Sequence, residues 1–211
     1  MPSKALVVAD SHGLLKHMMY SYYLPDKDDV VALIFLGDHS RQDVLDLCDM
    51  YPNTTKLGVP GNHDDKSLYD GTPVININGQ AVKLDSGLTI GGIGGSLRYS
   101  DDPYKAMYTQ NEYMRMVNNL PDCDLLITHA APESKHTRKQ SNIIKRLFNI
   151  VDFEAHDGVK ALTKWCINKE NYPGHKYMIH GHLHESLDYR VGGCAVLGVY
   201  GFVTIDLSKL I

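Results

Sequence analysis

Each of five short apolar runs in this chain is followed closely by residues able to bind a metal ion. Asp10 and His12 follow the run at 6–9, Asp38 follows 33–36, and Asn62 and His63 follow 57–59 through Pro60 and Gly61. His129 follows 125–128, and His182 and His184 follow 177–179. Short runs of this kind read as buried strands, and an open α/β sheet presents its crevice at the carboxyl ends of its strands. The pattern therefore demands a fold that carries five strand ends to one place.

Helical stripes lie between some of these runs. Val44, Leu47, Cys48 and Tyr51, then Tyr113, Met116, Val117 and Leu120, then Ile144, Leu147, Phe148 and Val151 all repeat at i, i+3, i+4, i+7 and read as core-facing helices. The alternation predicts an α/β domain. Between Gly71 and Ile93 the pattern changes to short segments broken at 76–79 and 85–87, which predicts hairpin pairing there. Residues 187–207 have the same texture, with Gly192 and Gly193 at a turn, so the sheets are expected to be mixed. The polar segment 130–176 is expected to be helical in two pieces, with a role as a cap over the site.

At 211 residues, 43% hydrophobic and 22% charged, the chain has the composition of one soluble globular domain spanning 1–211. Its net charge of -4 gives no broad basic surface for nucleic acid or an anionic membrane, so any phosphate binding has to be local. Cys48, Cys123, Cys166 and Cys194 are scattered without a C-x-x-C pair and read as small apolar residues in a reducing compartment. No run approaches the ~20 apolar residues of a membrane span, and residues 1–15 lack the pattern of a secretory signal. A cytoplasmic location is expected.

The donors at the strand ends are imidazole nitrogens and carboxylate or amide oxygens, with no thiolate. Such a set suits manganese above all, or iron, zinc, nickel or cobalt, rather than copper(I) or an iron–sulfur cluster. Two divalent ions sharing it would bring four positive charges against Asp10, Asp38 and a bridging hydroxide, a local excess of about one unit that attracts an anionic phosphate. A pair of ions is suited to lowering the pKa of a shared water and to clamping both the attacking and the leaving oxygen of a phosphoryl group.

Taken in order, Asp10-Ser11-His12, Gly37-Asp38, Gly61-Asn62-His63-Asp64, Thr128-His129 and Gly181-His182-Leu183-His184 resemble the motif set of the calcineurin-like metallophosphoesterase superfamily. Any one of these short motifs is weak, but five in the family order are specific, and they span residues 10 to 184. The resemblance implies a four-layer αββα sandwich, two mixed β-sheets flanked by helices. It implies that Asp10, His12 and His184 bind one metal, that Asn62, His129 and His182 bind the other, and that Asp38 bridges them. A metal-bridging hydroxide would be the nucleophile, and His63, positioned by Asp64, the general acid. The protein-phosphatase branch continues Gly-Asp with a later Asp-Arg-Gly and ends its third motif in Glu. Here the text is Gly37-Asp38-His39-Ser40-Arg41 and Asn62-His63-Asp64, which fits the small phosphodiesterase-like branch better.

Blander readings compete at single positions. Asp10 alone is as well explained as a turn or helix-capping residue, and a lone His129 as a structural histidine; only the constellation reverses this. The glycine-rich stretch 91–96 lacks the Lys-Ser/Thr ending of a phosphate loop and reads as a tight strand end near the site. Arg98, Tyr99, His39 and Arg41 are expected as substrate contacts on an equal footing with solvated turn residues. His17, His136, His156 and His175 are expected not to be ligands, and His180 to support a ligand by a hydrogen bond. The expected substrate is a small phosphate ester or a nucleotide-like molecule. Two other functions stay open, a nuclease of the same superfamily, disfavoured by the acidic balance, and a non-catalytic protein-binding scaffold, disfavoured because every ligand position is filled.

Overall fold

The structure, a computed structural model, describes residues 3–148, 157–168 and 176–210; His156, His175 and the stripe formed by the side chains of Ile144, Leu147, Phe148 and Val151 lie outside the described residues. Along the chain the strands are β1 (Lys4–Ala9), β2 (Val30–Phe35), β3 (Thr55–Gly58), β4 (Ile75–Asn76), β5 (Ala81–Lys83), β6 (Thr89–Ile93), β7 (Ser96–Leu97), β8 (Met107–Tyr108), β9 (Leu125–Thr128), β10 (Tyr177–His180), β11 (Leu187–Val191), β12 (Cys194–Gly198) and β13 (Gly201–Asp206). The helices are α1 (Leu15–Met19), α2 (Arg41–Met50), α3 (Gln110–Asn119), α4 (Lys135–Phe148) and α5 (Lys160–Ile167).

Two large sheets form. The first has the order β13-β1-β2-β3-β4, the second β11-β12-β10-β9-β6-β5, and β7 and β8 pair apart from both. In the first sheet β1, β2, β3 and β4 run parallel, and β13 closes one edge antiparallel to β1. In the second, β12, β10, β9 and β6 run parallel, with antiparallel β11 and β5 at the edges.

Alternation along the strands sorts the apolar side chains into three cores, as the period of two requires. Val7, Ile34 and Leu57 of the first sheet meet Ile90, Leu125 and Ile127 of the second in the central core. Leu6, Val8, Leu33 and Phe35 point the other way, onto Leu15 of α1 and Val44, Leu47 and Cys48 of α2. Ile93, Leu126, Met178 and Val196 face outward from the second sheet onto Tyr113 of α3 and Ala161, Leu162 and Trp165 of α5. The result is the expected αββα sandwich.

The Gly192–Gly193 turn joins β11 and β12, and the turn at 85–87 joins β5 and β6, as predicted. The break at 76–79 is not a hairpin turn. Ile75 and Asn76 pair in parallel with Leu57 and Gly58, so the chain crosses there from the first sheet to the second. Residues 130–176 contain α4 and α5; α5 belongs to the outer layer of the second sheet.

The topology positions the site. The parallel neighbours β1, β2 and β3 end side by side, and so do β9 and β10, so the loops after all five open on the same end of the sandwich. Among the described residues no helix is long and apolar enough to cross a membrane.

Candidate metal centre

The loops at this end are held in unusual backbone. Among the described residues the non-glycine positions with positive φ are Asp10 (55°), His12 (45°), Asp38 (57°), His182 (68°) and His184 (51°). All five are expected ligands. A left-handed conformation costs a non-glycine residue about 1–3 kcal/mol and persists only where its surroundings enforce it. The enforcing contacts are backbone hydrogen bonds between loops, Asp10 N–H to Gly37 O at 3.1 Å, His12 N–H to Asp38 O at 2.9 Å and Gly181 N–H to His129 O at 3.1 Å.

Two glycines let these loops touch. A Cβ on Gly37, whose φ is 93°, would lie 2.3 Å from Gly61 N, and a Cβ on Gly61 would lie 2.0 Å from Asp38 Oδ1. The Gly-Asp and Gly-Asn-His motifs thus need glycine because each passes through the space a side chain would take. Asp64 ties the same loops together: its Oδ2 accepts from Asp38 N–H at 2.8 Å and Gly61 N–H at 2.7 Å, and its Oδ1 from His39 N–H at 3.1 Å. The resemblance assigns Asp64 to positioning His63; the hydrogen bonds its carboxylate makes go instead to the two loops that carry Asp38 and Asn62.

Two groups of donors result. Asp10, His12 and His184 bring one ligand atom each within 4.8 Å of one another, and so do Asp38, His129 and His182. Asn62 joins the second group, with its Oδ1 2.9 Å from His129 Nε2. Asp38 lies between the groups: its Oδ2 is 3.5 Å from His129 Nε2 and 3.8 Å from His12 Nε2. The second group is buried; the first has a buried Asp10 and two exposed imidazoles whose Nε2 atoms are 3.3 Å apart.

The electrostatics of these donors ask for a cation. Burial pushes the Asp10 carboxyl up to about 7. Burial would raise Asp38 too, but the His129 charge and hydrogen bond, with the His63 N–H at 2.9 Å, hold it well below the carboxylate range. Burial would lower His129, yet Asp38 and Asp10 raise it to about 9. The hydrogen bonding makes the same demand. His129 Nδ1 donates to Leu36 O at 2.7 Å and the Asn62 amide nitrogen donates to Tyr99 Oη at 2.9 Å, so His129 Nε2 and Asn62 Oδ1 face each other as acceptors. A positive charge between them, a proton or a metal ion, resolves the conflict. The residues present fit a pair of divalent ions.

Around this centre the expected contacts sort themselves. His63 is exposed, with its ring 5.4 Å from that of His12, edge to face. Tyr99 is on the Asn62 amide. The guanidinium of Arg98 is taken by Glu112 at 3.0 and 3.2 Å, the residue that also closes the capping box of α3 with Thr109. His39 is turned inward: Nδ1 meets Ser11 Oγ at 2.7 Å, Ser11 donates in turn to Asp43 Oδ2, and Nε2 has no hydrogen-bond partner among the described residues. Burial lowers His39 to about 4, which suits a neutral structural ring. Arg41 donates to Leu68 O at 3.1 Å on the loop after Asp64.

His180 supports the ligand loop by its backbone, with Nδ1 at 2.8 Å from Gly181 O and Nε2 accepting from Tyr189 Oη. His17 is exposed on α1, and His136 of α4 reaches Glu185, next to His184, at 3.1 Å. Sequence reasoning missed Tyr200, whose ring stacks on His184 at 5.1 Å and 19°. No short-range pattern announces it. The glycine stretch 91–96 does approach the site, through Gly95 N–H to Pro60 O at 2.7 Å.

No family model matches the chain, and no curated protein does. Solved structures do. The chain is similar to TT1561 of Thermus thermophilus, with a TM-score of 0.61 at 12% identity over 100% of this chain and 97% of the other. It is also similar to the phosphopantetheinyl hydrolase PptH of Mycobacterium tuberculosis, with a TM-score of 0.52 at 13% identity over 95% of this chain and 91% of the other. The chain has the calcineurin-like phosphoesterase fold. Both donor groups lie where this fold joins the carboxyl ends of its two sheets. At these identities the likeness speaks for the fold, and the chemistry rests on the site itself.

Proposed function

We propose that the chain is a dinuclear metal-dependent phosphoesterase that hydrolyses small phosphate mono- or diesters, diesters ahead of phosphoproteins. The observation that carries this reading is the position of Asp38, whose Oδ2 stands 3.5 Å from His129 Nε2 and 3.8 Å from His12 Nε2, between the two donor groups. Asp10, His12 and His184 would hold one ion, Asn62, His129 and His182 the other, and Asp38 both. When bound, the pair supplies the charge that lowers the pKa of a water and steadies the phosphoryl oxygens.

The chain's own residues do the rest. His129 is kept in the Nδ1–H form by Leu36 O and so presents Nε2 to the centre. Asp64 and the paired glycines keep the Asp38 and Asn62 loops in contact. His63, exposed beside His12, protonates the leaving oxygen; its backbone is fixed by Asp38 through N–H and by Lys105 Nζ, which donates to its carbonyl at 2.8 Å. A phosphate ester reaching the centre from solvent meets His63 before it meets the buried group.

The test is direct. Purified chain with manganese should hydrolyse bis-p-nitrophenyl phosphate and, more slowly, p-nitrophenyl phosphate, with two ions per chain by elemental analysis. Folded protein that turns over neither ester with any divalent metal removes the proposal.

A further inference from the structure

Asn62 differs from the other donors of its group in that its side chain has two faces, an oxygen that can bind a cation and a nitrogen that cannot. In its present position Oδ1 faces His129 Nε2 at 2.9 Å while His129 Nδ1 is committed to Leu36 O, so the two atoms of this pair left to bind a cation are turned to one point. Rotation of the Asn62 side chain away from that point would remove one of them. What holds the side chain there is Tyr99, whose Oη accepts from Nδ2 at 2.9 Å.

Tyr99 is itself firmly placed. It follows Arg98, whose backbone N–H donates to Tyr108 O at 3.0 Å and whose guanidinium is gripped by Glu112 and by Met107 O. Arg98, which the sequence offers as a substrate contact, thereby anchors the segment that carries Tyr99. The hydroxyl arrives at Asn62 from a backbone already pinned to β8 and to the start of α3.

We propose that Tyr99 is a positioning residue for the buried donor group: its hydroxyl keeps the Asn62 amide oxygen turned toward His129 and so raises that group's affinity for its ion. The inference rests on the two-metal reading above. It assigns no role to Tyr99 in the other group, to which Asn62 does not belong.

A calorimetric titration of manganese into the metal-stripped full chain, with elemental analysis of the loaded protein, tests it. Wild type should take up two ions. Tyr99→Phe should bind one of the two about tenfold more weakly, the scale on which residues supporting a ligand act, and leave the other unchanged. Tyr108→Phe is the matched control, since it removes a similar tyrosine–asparagine hydrogen bond, Asn78 Nδ2 to Tyr108 Oη at 3.2 Å, that involves none of the donors; it should change neither affinity. Wild-type affinity in Tyr99→Phe, or an equal loss in Tyr108→Phe, overturns the proposal. Fewer than two ions in the wild type overturns the two-metal reading and this inference with it, and is told apart by that count.

Discussion

Ile127 and His129 stand two residues apart at the end of β9 and are both fully buried, yet they belong to regions built on different principles. Ile127 lies in the central core with Ile34, Leu57 and Ile90, where attraction is non-directional and roughly proportional to the area removed from water. His129 lies at the strand-end crest, where both of its ring nitrogens have a polar partner at a fixed distance and the backbone of five donors is left-handed. Shape tolerance is high in the first region and low in the second. Burial alone does not tell them apart; the chemistry of what is buried does.

The sharpest break between the regions should come from His63→Asn, which touches the crest without entering any hydrogen-bonded group beneath it. Turnover of esters with poor leaving groups should fall about a hundred- to ten-thousandfold, the range of general acid–base catalysis, while thermal stability and metal content stay as in the wild type. Unchanged turnover of such esters would sink the assignment of His63 as the acid.

A paired substitution sharpens the contrast at comparable size. Ile127→Ala should cost about 2–5 kcal/mol of stability by leaving a cavity between the sheets, with two ions still bound per chain. Gly61→Ala works in the other direction, since its Cβ would sit 2.0 Å from Asp38 Oδ1 and displace the carboxylate shared by both donor groups. Its affinity for both ions should drop at least about tenfold. Denaturant melts and elemental analysis of the two variants, side by side, decide the matter. Metal loss in Ile127→Ala, or two tightly bound ions in Gly61→Ala, would show that core and crest are not separable.

This division also explains what is legible in the sequence. The crest is readable because its donors are rare residue types placed directly after apolar runs, and the core because period-two and helical spacing record which face is covered. Partner choice is not readable. Nothing near Arg98 says that Glu112, 14 residues on, takes its guanidinium, and nothing near Asp64 says that three backbone N–H groups take its oxygens. The crossing at 76–79 reads as a hairpin because Ile75 and Asn76 find their partners in β3, across a long separation that local turn chemistry does not encode. Tyr99 and Tyr200 reach donors 37 and 16 residues away in sequence, and only the assembled loops bring them there.

The smallest effect concerns titration in the interior. Burial pushes the Cys123 thiol from its ordinary 9.0 up to about 12, in the core between the second sheet and α3 and α5. Because the folded value is the higher one, the folded chain keeps its proton when the unfolded chain has lost it. The stability linked to this group is therefore complete below pH 9.0 and drains away as pH rises toward about 12. By pH 10 the loss should be on the order of 1 kcal/mol. Unfolding in denaturant at pH 8 and pH 10 should show a smaller decline for Cys123→Ala than for the wild type, by about that amount, whereas the dependence of turnover on pH should be the same in both. A turnover profile that moved with Cys123 would mean that the interior titrates on behalf of the crest, and an undiminished decline in stability would mean that this thiol is not the group that ionises.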